Sequence, residues 1–262
     1  MLVDTYYDLD VPLFAALLPD FHDTDPAPVL KSLKDNKPDV ILIAGDLVFG
    51  DKSHKNYKSI YKNRNSLAFL EGCSGTAPTF MSLGNHEWIL TGADLDVITS
   101  TGTVILDNSW IKHEGVVIGG LSSAYYSTYQ SIRREHPEAG LFPEPIWALN
   151  RMNIEPETAW LTDFEQEPGY KILLSHHPEY YPRYLQDRKI DLVLSGHAHG
   201  GQWRFYDPFQ KEWRGVFAPG QGLFPRLTSG IQDHLVISRG LSNHTVVPRI
   251  NNPEEVVYLR KK

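Results

Sequence analysis

The sequence predicts an α/β fold. Apolar runs too short for helices alternate with segments of helical periodicity, and each run ends in a polar motif. Residues 40–44 are apolar at every position and end at Gly45-Asp46, and residues 79–83 end at Gly84-Asn85-His86-Glu87. Residues 171–174 lead to Ser175-His176-His177-Pro178, and residues 192–194 to Gly196-His197-Ala198-His199. Runs that are apolar throughout, rather than alternating, suit strands covered on both faces. In such sheets ligands bind beyond the carboxyl ends of the strands, which is where these motifs fall.

The remaining elements follow in chain order. Residues 13–18 form a strand-sized run leading into Asp20 and His22, and Asp25-Pro26 gives the N-cap and first turn of a helix to about Asn36. Residues 58–71 place Ile60, Leu67 and Leu70 on one face of an amphipathic helix, and residues 116–118 make a strand before Gly119-Gly120. The weakly periodic stretch 122–151 carries Tyr125, Tyr126, Tyr129, Arg133, Arg134 and His136. It is the candidate lid or substrate-facing insertion, the alternative being a surface loop with a helical turn. Residues 207–225, rich in Gly, Pro and aromatics, read as turns and short strands, while 234–238 and 255–259 read as closing strands.

At 262 residues the chain is expected to form one domain, and its 41% hydrophobic and 22% charged residues are ordinary for a globular protein. A formal charge of −7 argues against nucleic-acid binding, which needs a basic face. The single cysteine, Cys73, excludes an intramolecular disulfide and reads as structural. Residues 1–10 show neither a basic-then-apolar leader nor a membrane span, so the expected localisation is cytoplasmic.

The motifs carry metal chemistry. Asp20 and His22, two apart at a strand end, share a face and can grip one cation. Asp46 follows a glycine that lets the chain turn sharply, and its two carboxylate oxygens can bridge two metals. Asn85 offers a neutral oxygen, with His86 beside it positioned towards substrate. His197 and His199 repeat the two-residue spacing, whereas the adjacent His176 and His177 point apart, so that one binds and the other packs or bonds behind it. Two carboxylates against two divalent cations leave a net charge of about +2, suited to a phosphate ester. Mixed nitrogen and oxygen donors favour Mn, Fe, Zn or Co over Ca, with Mg less natural. Arg133, Arg134, Arg204 or Arg226 are candidates for a second phosphate, and Gln202 for the substrate. His54, His113, His136, His234 and His244 read as surface or locally satisfied residues.

In the order D-x-H, G-D, G-N-H-E, H and G-H-x-H, across residues 20–199, the chain resembles the calcineurin-like metallophosphoesterase superfamily. Gly200-Gly201-Gln202, Gly222-Leu223-Phe224-Pro225, Ser238-Arg239-Gly240-Leu241 and Asn252-Pro253-Glu254-Glu255 extend the likeness to a bacterial phosphohydrolase branch of that superfamily. Departures are Pro19 and Phe21, where that branch commonly has Ser or Thr and Leu.

The resemblance implies a four-layer α/β/β/α sandwich of two mixed sheets. It implies a first metal on Asp20, His22 and His199, a second on Asn85, His176 and His197, and Asp46 bridging them. His86 matches the histidine that stabilises the transition state or protonates the leaving oxygen. The implied activity is dinuclear hydrolysis of a small-molecule phosphodiester. A pyrophosphate of a nucleotide-sugar lipid and a phosphoprotein are the alternative substrates. A non-catalytic scaffold ranks lower, because every expected position is occupied.

Overall fold

A computed structural model describes residues 1–49, 60–135, 154–243 and 245–262. One sheet contains β1 (Leu2–Leu9), β2 (Ala15–Leu17), β3 (Val40–Ala44), β4 (Thr79–Ser82) and β5 (Thr103–Leu106), with the C-terminal strand β16 (Glu254–Lys261). Its order is β1-β16-β2-β3-β4-β5, and only the β16–β2 pairing is antiparallel. The second sheet contains β6 (Ser109–His113), β7 (Val116–Leu121), β8 (Tyr170–Ser175), β9 (Leu192–Ser195), β14 (Gly230–Gln232) and β15 (Leu235–Ile237). Its order is β14-β15-β9-β8-β7-β6, parallel in the middle and antiparallel at both edges. Two hairpins project from this frame: β10 (Arg204–Asp207) with β11 (Glu212–Gly215), and β12 (Phe217–Ala218) with β13 (Gly222–Leu223).

Alternation along the strands divides the apolar residues among three cores. Leu17, Leu42, Ala44, Ile118, Leu174, Leu194 and Leu259 pack between the sheets. Their neighbours Ala16, Ile41, Ile43, Met81 and Tyr258 face outward. There they meet Leu33 of α1 (Ala27–Asn36), Phe69 of α2 (Arg64–Ser74), Ile98 of α3 (Gly92–Ser100) and Tyr129 of α4 (Ala124–Glu135). On the far side Val117, Leu173, Val193 and Ile237 pack against Leu161 and Phe164 of α5 (Leu161–Gln166) and the turns at 178–185. The layers are therefore α/β/β/α, as the apolar-throughout runs require, since each such strand has a core on both faces.

Some boundaries differ from the sequence expectation. Of the helix expected at 58–71, residues 58–59 lie outside the described residues, and Ile60–Lys62 is a 3-10 turn. Asn63, at φ −89° and ψ 69°, breaks it from α2, which runs to Ser74. No sequence expectation covers β1, β5, β6, β14, α3 or α5, or the first three residues of β10. β1 is half-exposed with alternating burial, so it lacks the apolar run that marks its neighbours. Within the candidate insertion 122–151, residues 136–151 lie outside the described residues. The described part is α4, whose Tyr126 and Tyr129 are buried in the outer core. Cys73 is buried there too, where burial pushes its thiol up. Among the described residues no helix is long and apolar enough to cross a membrane.

Candidate metal centre

The loops after β2, β3, β4, β8 and β9 meet because their backbones are tied to one another. Asp20 N–H donates to Gly45 O and His22 N–H to Asp46 O, each at 3.1 Å, and Gly196 N–H donates to His176 O at 3.1 Å. Close approach fixes the glycines: a Cβ on Gly84 would lie 2.3 Å from Asp46 Oδ1, and one on Gly45 would lie 2.7 Å from Gly84 Cα. Asp20, His22, Asp46, His197 and His199 all have φ between 46° and 65°, a left-handed conformation that non-glycine residues seldom adopt. Such strain concentrates at functional sites, where surrounding contacts hold it in place.

Those contacts bring most of the sequence-derived residues together. Ligand atoms of Asp20, His22 and His199 lie within 4.8 Å of one another, as do those of Asp46, His176 and His197. Asp46 stands between the two sets. Its Oδ1 accepts the His86 N–H at 2.8 Å, and its Oδ2 lies 3.8 Å from His22 Nε2 and 3.0 Å from His176 Nε2. Asp20 Oδ1 is 3.5 Å from His199 Nε2, and its carboxylate accepts the His197 N–H at 3.0 Å. His176 Nδ1 lies 2.7 Å from Ala44 O and donates to it, so Nε2 is the nitrogen that faces Asp46 and would offer a lone pair to a cation on losing its proton. Asn85 follows Gly84 in the same turn, and its buried amide oxygen has no hydrogen-bond partner among the described residues. His86 completes the set, its Nε2 3.9 Å from Asp46 Oδ2 and its ring 4.6 Å from that of His22.

Electrostatics follow from burial and from this crowding. Burial alone would raise Asp46, but His176, His86 and His22 hold its carboxyl well below the usual range. Asp20 is pushed up to about 7 by burial, with His176 opposing and Asp46 adding to the rise. Burial would lower His176, yet Asp46 and Asp20 raise it to about 10. His197 falls well below its ordinary value through burial and the neighbouring His177.

His177 turns the other way. Its Nε2 is 2.8 Å from Ser123 Oγ and its Nδ1 is 3.2 Å from Glu179 Oε1, a chain that ends beside His197. His177, Glu179 and His197 also form a set with ligand atoms within 4.8 Å. The substrate candidates are placed differently. Arg133 donates to Leu90 O at 2.8 Å and the exposed Arg134 to Gln130 O at 3.3 Å, both from α4. Arg204 donates to Trp213 O at 3.2 Å, and Arg226 is exposed. The Gln202 amide donates to Val247 O and to Asn243 Oδ1, tying down that loop.

The sequence reading assigns no role to three residues that brace the cluster. Glu87 accepts the backbone N–H groups of Gly84, Asp46, Leu47 and Val48, holding the two glycine turns together. Its signal was the last letter of G-N-H-E, which carries no hint of a backbone clamp. Asn252 donates to His199 O at 2.7 Å, and Arg249 places a guanidinium nitrogen 3.1 Å from His199 Nδ1. Asn252 opens the Asn252-Pro253-Glu254-Glu255 motif, but no local pattern sets it or Arg249 against a motif some 50 residues earlier.

Residues 16–201 match the calcineurin-like phosphoesterase family, and with this fold and cluster the chain belongs to it. It is 27% identical over 234 residues to an uncharacterized metallophosphoesterase of Helicobacter pylori, covering 88% of this chain and 53% of that one. It is 25% identical over 233 residues to the Bacillus subtilis metallophosphoesterase YkoQ, covering 86% of this chain and 73% of that one. The chain thus spans about half the length of the Helicobacter relative. Among solved structures, the sulfate thiohydrolase SoxB of Thermus thermophilus aligns with a TM-score of 0.48 at 14% identity, over 90% of this chain and 54% of that one.

Proposed function

We propose that the protein hydrolyses phosphoesters with two divalent cations. Asp20, His22 and His199 would hold one, Asn85, His176 and His197 the other, and Asp46 would serve both. The observation that carries this reading is the position of Asp46 Oδ2, 3.8 Å from His22 Nε2 on one side and 3.0 Å from His176 Nε2 on the other. The donors fit the ions: the partnerless buried oxygen of Asn85 is a neutral ligand, and the imidazole–carboxylate mixture suits Mn, Fe or Zn. Bound there, the cations would polarise the phosphoryl oxygens and lower the pKa of water held between them.

The chain's own groups divide the remaining work. Asp20 and Asp46 bring two negative charges to the cluster, leaving the loaded site positive and attractive to an anionic ester. His86 would hold a proton at Nε2 for the oxygen that leaves phosphorus. Its side chain is 16% exposed, whereas those of His22 and His176 are 0% exposed, so it is the one of the three open to substrate. The likeness of Gly196-His197-Ala198-His199-Gly200-Gly201-Gln202 to the bacterial branch supports a small phosphodiester as the substrate.

Bis(p-nitrophenyl) phosphate tests the reading with metal-stripped protein, then with Mn²⁺ restored, beside Asp46→Asn. Turnover that returns with metal and is lost in the variant supports it. Metal-independent turnover, or a fully active variant, overturns it.

A further inference from the structure

A cleft of about 370 Å³ opens beside the cluster, lined by Trp203, Val216, Phe217, Leu223 and Val247 and by His199 itself. That volume lies within the range of small-molecule sites, which are concave and mostly apolar with few polar groups. Its walls come from elements that leave large apolar side chains in solvent. Trp203 is 43% exposed, Phe217 50% and Leu223 70%. Phe217 and Leu223 are cross-strand partners in the β12–β13 hairpin, so they stand side by side on one face. The opposite wall is held in place by Gln202, whose backbone sits at φ 58° and whose amide ties Val247 O and Asn243.

A concave, mostly apolar cleft beside the cluster has the character of a small-molecule site. Here one residue, His199, belongs both to the trough and to the metal-binding set with Asp20 and His22. The trough is therefore continuous with the cluster through this side chain.

We propose that this cleft binds an alkyl chain carried by the phosphoester, so that the substrate is an amphiphile with its phosphate at the cluster and its chain along Trp203, Phe217 and Leu223. The lining favours a flexible chain over a sugar or base. The described side chains on it supply aliphatic and aromatic surface with little to hydrogen-bond a hydroxyl or a ring nitrogen. Apolar surface also continues past the cleft, through Phe224, 60% exposed, and Val246, fully exposed, so a chain longer than the cleft still meets apolar contacts. The proposal rests on the hydrolase reading above for the placement of the phosphate. The cleft itself does not depend on turnover.

The test compares p-nitrophenyl octyl phosphate with p-nitrophenyl methyl phosphate, using Mn²⁺-loaded protein. Each buried methylene favours binding, so the octyl ester is expected to have a KM at least ~10-fold lower than the methyl ester. Phe217→Ser and Leu223→Ser, both at half-exposed or more open positions, should bring the two KM values to within about 2-fold. Equal KM values in the parent protein, or an octyl advantage that survives both substitutions, would overturn the proposal. If neither ester is hydrolysed by metal-loaded protein, the hydrolase reading fails and the cleft is judged by binding alone. Octyl phosphate should then displace anilinonaphthalene sulfonate from the parent protein and not from the variants. No displacement also overturns the cleft.

Discussion

Arg249 points a guanidinium nitrogen at His199, 3.1 Å from Nδ1. Arginine has no acceptor, so the imidazole accepts at Nδ1 and a neutral ring carries its hydrogen on Nε2. That nitrogen is the one 3.5 Å from Asp20 Oδ1, where a cation would need a lone pair. Metal-binding histidines ordinarily donate from their second nitrogen to an oxygen. Loading this site thus requires the ring to change tautomer and Arg249 to withdraw.

The consequence is measurable. Arg249→Gln offers an amide oxygen to Nδ1–H, and Arg249→Met offers neither donor nor acceptor. Chelator-competition titrations should show the Gln variant binding one Mn²⁺ roughly 10-fold more tightly than the Met variant. Both lose the contacts of Arg249 to Arg239 O and Ser242 O, so that loss cancels in the comparison. Equal affinities would sink the idea.

Glu87 should matter to the fold before it matters to chemistry. Glu87→Gln replaces a carboxylate that accepts four backbone N–H groups with an amide that turns N–H donors towards some of them. Leaving buried donors unpaired costs about 1–3 kcal/mol, so urea melts of metal-free protein should show a loss of at least that size. A variant as stable as the parent would remove the clamp from the account.

His86→Ala should lower kcat on bis(p-nitrophenyl) phosphate by roughly 100- to 10,000-fold, the range of a general-acid contribution. Metal content by elemental analysis should stay near the parent value. Loss of metal together with activity would make His86 a ligand instead.

His176 gives the metal-free protein a pH dependence. Burial opposes its protonation, but Asp46 and Asp20 raise it from 6.5 to about 10 in the fold. The protonated ring therefore stabilises the fold fully below pH 6.5, and that stabilisation is lost as pH rises through about 10. Thermal melts of metal-free protein should show Tm falling across this window, with a flatter profile for His176→Gln. Because a metal ligand must shed its proton, Mn²⁺ uptake near neutral pH should also release protons to the buffer. A flat parent profile would contradict the pairing with Asp46.

Gly84→Ala should fail at the cluster. Its methyl group would lie 2.3 Å from Asp46 Oδ1 and 2.6 Å from Asp46 N, atoms held by Glu87 and by the His86 N–H. Overpacking of this kind costs about 1–3 kcal/mol, and Mn²⁺ affinity should drop with the lost stability. A variant with parent-like metal binding would show that the turn can yield.

The sequence by itself determined the layers and the chemistry of the cluster. The apolar-throughout run at Val40–Ala44 requires a core on each face, and it has one on each. Placing Asp20, Asp46, Asn85, His176 and His197 directly after such runs puts them at strand ends, because both periodicity and chain order are local properties. β1 was illegible for the same reason, since its alternating, half-exposed pattern only becomes a strand once β16 pairs with it.

Tertiary structure alone decided which atoms meet. His176 and His177 are adjacent and chemically identical, yet one faces Asp46 and the other faces Ser123 and Glu179. Asp20 accepts from His197 across 177 residues, and Arg249 reaches His199 across 50. Those distances are set by how two sheets pack, and no local pattern encodes them. The apolar trough belongs to the same class of fact. Trp203 lies just before one hairpin and Phe217 and Leu223 pair across the other, and only the placing of these segments beside His199 makes them a wall.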